Sequence, residues 1–208
     1  MDIPSKTSSH PICTKVCSAY RHGQNSPHCI LVEFADLGHK LFKTTQETYP
    51  ITFIPGDAFD PKHLQVVAPF TATNAPTGPT PELGSLTSLN PLHGRVAAIH
   101  ASSFFHLFDE EKQLHLARAL AGLLSPEPGS IIFGVHIGLA EKGFTPLMPG
   151  RMHSLFCHSP ATWAELWDGE VFEKGVVKVK TMLVQIERKG LNGDEATVTL
   201  LAWSVTRL

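Results

Sequence analysis

Several ionisable side chains fall where short apolar runs of this 208-residue chain end. Asp57 and Asp60 follow one such run, and His100, His106 and His136 lie at or just after the ends of two others. Open α/β sheets bind ligands at the carboxyl ends of their strands, and an imidazole placed there can act as general base for an acidic hydroxyl. A single histidine of this kind is more often structural, but the group together predicts a pocket for a small molecule.

Metal chemistry has weaker support. Asp57 and Asp60 could form a carboxylate pair, but we expect one to face a ligand and the other to cap a turn. The spacing Cys-x3-Cys-x4-His-x6-Cys that begins at Cys13 resembles a zinc knuckle, in which thiolates and imidazoles surround the ion as a tetrahedron. Its last gap is long and Cys29 belongs to an apolar run, so we predict no metal site.

Composition and motifs restrict the partners further. Charged residues make up 17% of the chain and the formal net charge is −2, which does not favour nucleic acid. The apolar stretch Leu114–Leu124 is too short to span a membrane and contains Arg118. The sequence has no nucleophile elbow, no Walker loop and no dinucleotide fingerprint. Met1–His10 lacks the apolar core of a secretory signal, which predicts a cytoplasmic protein with reduced cysteines.

Periodicity predicts alternating strands and helices in the first half of the chain. His28–Val32 and Tyr49–Ile54 are typical of strands, and Glu33–Lys43 carries apolar residues at helical spacing. Val66–Gly94 is rich in proline and glycine, which predicts a long loop with one helical turn near Leu83–Leu89.

The second half continues the alternation and ends in a hairpin. Predicted strands are Arg95–His100, Ser130–His136, Val176–Arg188 and Ala196–Arg207, and predicted helices are Asp109–Leu124 and one that starts at Ser159-Pro160. Asn192-Gly193 is a typical hairpin turn. The order predicts an α/β domain over residues 28–208, with a mostly parallel sheet, helices on both faces and a C-terminal antiparallel hairpin. Residues 1–27 form a poorly patterned segment before it.

Four stretches resemble the class I S-adenosylmethionine-dependent methyltransferases, in particular the small-molecule enzymes of fungal secondary metabolism. These stretches are Phe53–Asp60 (FIPGDAFD), Ala98–Phe108 (AIHASSFFHLF), Leu123–Gly134 (LLSPEPGSIIFG) and Phe156–Trp167 (FCHSPATWAELW). The resemblance covers residues from Ile30 to the C-terminus and implies a Rossmann-like sheet, S-adenosylmethionine as cofactor and a small molecule as substrate.

The resemblance also implies roles for particular residues. The implied adenine-facing residues are Gly56, Asp57 and Ala58, the further cofactor-binding residues are His100, Ala101 and Ser102, the substrate-facing residues are Phe105 and His136, and the implied catalytic base is His106. We expect the ends of the strands at Asp57, His100 and His136 to open into one crevice.

The sequence departs from the family where the cofactor's methionine moiety and ribose should bind. The family's Asp-x-Gly-x-Gly turn is absent, and the place of its ribose-binding acid falls at Cys29. The central strand that carries this turn would lie between the strands at Ile30 and Ile99, and Ile12–Ala19 is the local candidate to replace it. We therefore expect weak cofactor binding or none. An active methyltransferase and a cofactor-free pseudoenzyme, or a binding or isomerising pocket on the same scaffold, remain as alternatives.

Overall fold

The computed structural model describes residues 12–15, 37–45, 47–48, 52–146, 154–189 and 195–208. Its strands are β1 (Ile12–Lys15), β2 (Val96–His100), β3 (Ile131–Ile137), β4 (Gly143–Phe144), β5 (Phe156–Cys157), β6 (Val177–Lys189) and β7 (Glu195–Arg207). Helix α1 comprises residues 37–42, α2 Glu110–Leu123 and α3 Pro160–Trp167. Short 3-10 turns lie at Leu83–Ser85, Asn90–Leu92 and Phe105–Leu107.

Five strands form the main sheet in the order β1-β2-β3-β7-β6, and β4 pairs with β5 separately. The pairs β1–β2 and β2–β3 are parallel, and β7 runs antiparallel to both β3 and β6. This confirms the α/β class and the C-terminal hairpin. The predicted strand His28–Val32 and the turn at Asn192-Gly193 lie outside the described residues.

Strand β1 lies beside β2, where the sequence lacks the family's central strand. Cys13 pairs with Ala98 and Lys15 with His100 in parallel register. The candidate stretch Ile12–Ala19 therefore does supply a strand there, over its first four residues. This pairing satisfies backbone groups along an edge of β2 that would otherwise need other partners.

Strands β2 and β3 approach closely near their carboxyl ends because Gly134 has no side chain. A Cβ on Gly134 would lie 2.2 Å from the carbonyl oxygen of Ala101. The parallel ladder continues past β2, since Ala101 N–H donates to the Phe133 carbonyl at 2.9 Å and Ser103 N–H to the Val135 carbonyl at 2.7 Å. The residues that follow β2 are thus held by β3.

The two longer helices begin at capped residues. Asp109 caps α2 by accepting a hydrogen bond from the Lys112 N–H at 2.9 Å. Ser159 caps α3, forms a capping box with Thr162 and precedes Pro160 in the first turn. These caps satisfy N–H groups that have no partner within a helix, and they confirm the predicted helix starts.

Three tryptophans fill the core between α3 and the sheet. Trp163 and Trp167 on α3 are fully buried, and their ring centroids lie 5.1 and 5.9 Å from that of Trp203 on β7. Trp163 also meets Phe105 edge-on, with centroids 5.0 Å apart. The prediction that both α3 indoles pack against the sheet is confirmed.

Helices α2 and α3 cover the same face of the sheet. Their buried side chains share one core with the sheet residues Ile99, Ile132, Leu201, Trp203 and Val205. The third predicted helix, Glu33–Lys43, lies partly outside the described residues, so the expectation of helices on both faces stays a prediction. On α1 the apolar residues Leu37, Leu41 and Phe42 are 52%, 75% and 74% exposed, so the described residues do not bury the face that the sequence predicts to be apolar.

The predicted strand Tyr49–Ile54 is wrong over its described part, because residues 52–54 form no strand. Turns follow at once. Asp57 Oδ1 accepts a hydrogen bond from the Phe59 N–H at 2.9 Å, and Asp60 Oδ1 accepts one from the Lys62 N–H at 2.9 Å. The long loop over Val66–Gly94 and its helical turn are confirmed.

Replacing Trp163 tests how much the aromatic core contributes to the stability of the fold. Trp163→Ala should lower the free energy of unfolding by about 3–5 kcal/mol. Trp163→Phe should cost less, because the indole N–H has no acceptor among the described residues and phenylalanine removes that buried donor. Urea unfolding followed by far-ultraviolet circular dichroism measures both. Phe144, 68% exposed, is the matched control, and Phe144→Ala should change stability by less than about 0.5 kcal/mol. Equal losses from the two alanine variants would contradict this role.

Candidate functional site

His100 ends β2 as an oriented, half-buried imidazole. Its Nε2 and the hydroxyl of Ser102 share a hydrogen bond of 2.7 Å. Ser102 is fixed in turn, because its Oγ accepts a hydrogen bond from the Val135 N–H at 3.1 Å. The imidazole also packs on Phe133, with ring centroids 5.0 Å apart. Two strands therefore set the direction of this ring.

The bond to Ser102 decides which nitrogen of His100 can meet a ligand. Nε2 is engaged, whereas Nδ1 has no hydrogen-bond partner among the described residues. An imidazole with one nitrogen anchored and the other free can donate to or accept from a bound molecule, according to its tautomer. The sequence predicts His100 and Ser102 as neighbours of a cofactor, but their mutual hydrogen bond depends on the turn after β2.

Gly56 and Asp57 border a shallow hollow of about 240 Å³. Its lining residues are Pro55, Gly56, Asp57, Asp60, Lys62, His63 and Thr87. Asp57 is exposed, whereas Ala58 is buried. Because ligand sites usually measure about 300–1,000 Å³, this hollow is large enough for only part of a cofactor.

Gly56 itself is required by the wall of the hollow. A Cβ at this position would lie 2.0 Å from Nδ1 of His63, whose side chain is buried. The close approach of backbone to imidazole leaves no room for any side chain. This contact was not foreseen from the sequence, because the loop conformation alone brings Gly56 and His63 together.

Three other predicted site residues lie in the core. Phe105 is fully buried between Trp163 and Trp203, and His136 is 2% exposed. His106 is also buried, with its ring centroid 6.3 Å from that of His136. The Phe105 and His136 side chains are both buried in the described part of the chain, and their expected substrate-facing role stays a prediction.

The described residues do not place His136 with His100 in the predicted common crevice. His100 pairs with Phe133 in the sheet register, and His136 lies an odd number of residues beyond Phe133. Side chains alternate between the faces of a sheet, so His136 belongs to the face opposite His100. The described residues bring His100 and Ser102 together, and they bring Gly56, Asp57 and Ala58 together, but they leave His136 apart from both groups.

Burial keeps two histidines neutral. The pKa of His136 is lowered to about 3, mainly by burial and further by the nearby His106 and His158. Its Nδ1 accepts a hydrogen bond from the Trp203 indole at 3.0 Å. Burial is also the main cause that lowers the pKa of His158 to about 4. Neither imidazole carries a charge at neutral pH.

A second hollow, of about 160 Å³, lies between α2, α3 and the segment after β3. His158 and Thr162 line it, and an ion pair of 2.9 Å between Lys142 and Glu110 crosses its rim. The sequence gives no sign of this hollow, because Lys142 and Glu110 are 32 residues apart.

The described residues contain no group of three or more histidine, cysteine, aspartate or glutamate side chains arranged to hold a metal ion. The zinc-like pattern lies outside the described residues apart from Cys13. Among the described helices, none has both the length and the apolarity that crossing a bilayer requires.

Adding a methyl group at Gly56 tests the wall of the first hollow. Gly56→Ala should lower the free energy of unfolding by about 1–3 kcal/mol, because the new Cβ overlaps a buried imidazole. Gly84→Ala is the control, since a Cβ there meets nothing within 4 Å. Thermal and urea unfolding of both variants would check this. Full stability of Gly56→Ala would mean that His63 can leave its position freely.

Acidification should weaken the fold through the neutral histidines. The unfolded chain binds a proton at each histidine below about pH 6.5, whereas folded His136 and His158 stay neutral to about pH 3 and 4. Stability is therefore full above pH 6.5 and falls as the pH drops below it, by about 2 kcal/mol per histidine between pH 7 and 5. Urea unfolding at several pH values measures this slope, and His136→Gln should reduce it. A slope unchanged in that variant would contradict the neutral state of His136.

Comparison with known proteins supports the resemblance seen in the motifs. No family model matches the chain. It is 31% identical over 142 residues to O-methyltransferase phiE from Fungal sp. (strain ATCC 74256), which covers 68% of this chain and 39% of that protein. It is 26% identical over 136 residues to O-methyltransferase atr3 from Stereocaulon alpinum, covering 65% and 32% of the two chains. The chain thus spans about two fifths or less of the length of these relatives.

Among solved structures, a SAM-dependent methyltransferase from Methanosarcina mazei aligns with a TM-score of 0.37 and 12% identity over 56% of this chain and 61% of that one. Because this TM-score is low, the structural likeness supports no conclusion. The family assignment depends on the sequence relatives together with the motifs. On these grounds the chain belongs to the class I S-adenosylmethionine-dependent methyltransferases, alongside fungal O-methyltransferases.

Proposed function

We propose that this protein is a methyltransferase-type domain that acts on a small molecule of secondary metabolism, and that the chain by itself binds S-adenosylmethionine weakly or not at all. One observation carries the proposal. The residues around Gly56 and Asp57 form a hollow of about 240 Å³, which suits the adenine end of the cofactor and no more.

The adenine end fits the described residues. Asp57 has its carboxylate at the exposed mouth of the hollow, and its Oδ1 is held by the Phe59 N–H. An oriented carboxylate can accept hydrogen bonds from an exocyclic amine. His100 and Ser102, the other implied cofactor-binding residues, do not line this hollow. These residues match the family's motif, as the sequence analysis implies.

The methionine and ribose ends lack the family's residues. No Asp-x-Gly-x-Gly turn occurs anywhere in the chain, and only such glycines let a backbone approach that part of the cofactor closely. Cysteine at position 29 cannot accept both ribose hydroxyls as a carboxylate does. A hydrogen bond to a charged acceptor contributes about 1.5–3 kcal/mol, so losing this acid alone should weaken binding at least about tenfold.

A cofactor-free pocket is the second candidate function, and the pair His100–Ser102 favours it. This pair keeps an anchored imidazole with one unengaged nitrogen among the described residues, whether or not a cofactor binds. Such a group can hold a small molecule or move a proton on it. The cytosol is the compartment proposed for either function, and residues 28–208 are the proposed functional domain.

Isothermal titration of the purified chain with S-adenosylmethionine and with S-adenosylhomocysteine tests the proposal. We expect dissociation constants of about 1 mM or weaker, since the contacts that remain are those of the adenine end. Micromolar affinity for either compound would overturn the prediction and would mean that other residues rebuild the missing contacts.

Two variants assign any residual binding to the proposed hollow. Asp57→Asn should abolish heat that remains at millimolar ligand, because it removes the carboxylate at the mouth. Glu127→Gln removes the same charge from an exposed residue outside the hollow and should leave the heat unchanged. Equal effects of the two variants would indicate non-specific attraction of the cationic cofactor.

A further inference from the structure

The hydroxyl of Ser102 connects β3 to the histidine that ends β2. Its Oγ accepts a hydrogen bond from the Val135 N–H at 3.1 Å and lies 2.7 Å from Nε2 of His100. A serine hydroxyl has one proton to donate and two lone pairs that accept. The acceptor of that single proton therefore determines which nitrogen of His100 carries a hydrogen.

Two observations favour Nε2 of His100 as the acceptor of the Ser102 proton. Among the described residues, no other acceptor lies within hydrogen-bond distance of this Oγ. If Nε2 donated instead, the oxygen would receive two N–H groups and its own proton would have no described acceptor. The distance of 2.7 Å agrees, because hydroxyl donors typically lie about 2.7–2.8 Å from their acceptors and N–H donors about 2.9–3.0 Å.

This bond leaves His100 with a hydrogen on Nδ1. A neutral imidazole has one N–H and one lone pair, and the lone pair at Nε2 is engaged by Ser102. Nδ1 has no hydrogen-bond partner among the described residues. The half-buried ring packs on Phe133, with centroids 5.0 Å apart, so its direction is fixed. His100 thus presents a donor at Nδ1 and no lone pair that could take up a proton there.

His136 is the opposite case within the same sheet. Its Nδ1 accepts a hydrogen bond of 3.0 Å from the Trp203 indole, which is a donor only. Burial lowers the pKa of His136 to about 3, so the ring is neutral and carries its hydrogen on Nε2. Two histidines near the ends of neighbouring strands are therefore expected as opposite tautomers.

We propose that Ser102 is a positioning residue that holds His100 as the Nδ1–H tautomer, and that His100 thereby selects a ligand with a carbonyl or carboxylate oxygen at this strand end. The Val135 N–H orients the serine, the serine orients the imidazole, and the imidazole donates to the ligand. A ligand ammonium is disfavoured, because it would place a donor against a donor. Phe133, 37% exposed beside the ring, offers an apolar surface to the carbon atoms next to that oxygen.

This assignment rests on the second candidate function, the cofactor-free pocket at His100, and gives that pocket a role. An anchored imidazole can bind a ligand or remove a proton from it, and the Nδ1–H tautomer selects binding, since a general base needs a lone pair that faces the ligand. The tautomer does not depend on affinity for S-adenosylmethionine. A spectrum of His100 and a cofactor titration can therefore fail independently.

Nitrogen-15 NMR of the full chain, labelled at histidine, measures the tautomer at about pH 8.5, where a histidine side chain is neutral. Protonated and unprotonated ring nitrogens have well-separated chemical shifts. The signals that disappear in His100→Gln and His136→Gln assign the two rings. We expect Nδ1–H for His100 and Nε2–H for His136. An Nε2–H tautomer at His100 in the wild-type chain would overturn the proposal.

Substitutions at position 102 test the positioning role. Ser102→Ala removes the hydroxyl, so His100 should change to the Nε2–H tautomer that free histidine prefers, whereas Ser102→Thr keeps a hydroxyl and should keep Nδ1–H. Ser85→Ala is the matched control, because this exposed hydroxyl donates to the Glu82 carbonyl within its own turn, and the His100 signals should not change. Circular dichroism checks that each variant folds. A tautomer that Ser102→Ala leaves unchanged would contradict the role of Ser102.

Benzoate and benzylamine test the selection of an oxygen acceptor, since they share a ring and differ in the polar group. One hydrogen bond and one ring contact support only millimolar affinity, so each compound is added at about 50 mM. We expect benzoate to shift the Nδ1 signal of His100 and benzylamine to leave it in place, and Ser102→Ala should reduce the benzoate shift. A shift caused by benzylamine, or none caused by benzoate, would show that His100 does not select such a ligand.

Discussion

The packing of Trp163 against Trp203 is the interaction from which the rest of the described structure follows. It joins α3 to the centre of the sheet, and Phe105 and Trp167 pack around the same pair. Large rings bury 150–250 Å² each, so this cluster supplies much of the apolar burial in a chain of modest size. It also determines which face of the sheet packs against α2 and α3.

Aromatic rings fill the side of the sheet that faces α2 and α3, and the two histidines near strand ends therefore differ in their surroundings. His136 has its Nδ1 bonded to Trp203 and stays neutral because burial disfavours its charged form. His100 lies on the opposite face at the end of β2 and keeps a nitrogen that no described residue engages. Two histidines with similar places at strand ends thus have different chemistry, and the alternation of side chains along β3 is the cause.

The relation to fungal O-methyltransferases is clear in sequence, whereas we propose that the cofactor site of this chain is incomplete. In the loop that we propose to face adenine, Gly56 lies against His63 and Asp57 lines a small hollow. The Gly-rich turn does not occur in the chain. A strand at Ile12–Lys15 pairs with β2 in parallel, so backbone pairing beside β2 does not require that motif. Pairing of a strand depends on backbone groups, whereas cofactor binding depends on particular side chains and glycines. A strand can therefore pair beside β2 in a chain that lacks the cofactor-binding residues.

The sequence by itself determined the local elements: the capped starts of α2 and α3, the strands β2 and β3, the terminal hairpin and the family. Each of these depends on neighbours along the chain, such as Ser159 with Thr162, or on a periodicity that one segment displays. Tertiary structure decided which face each side chain occupies. Residues 52–54 form no strand, although their sequence is typical of one, and Phe105 lies in the core. Contacts such as Gly56 with His63, or Gly134 with Ala101, depend on distances between separate segments, and such distances leave no periodic pattern in the sequence.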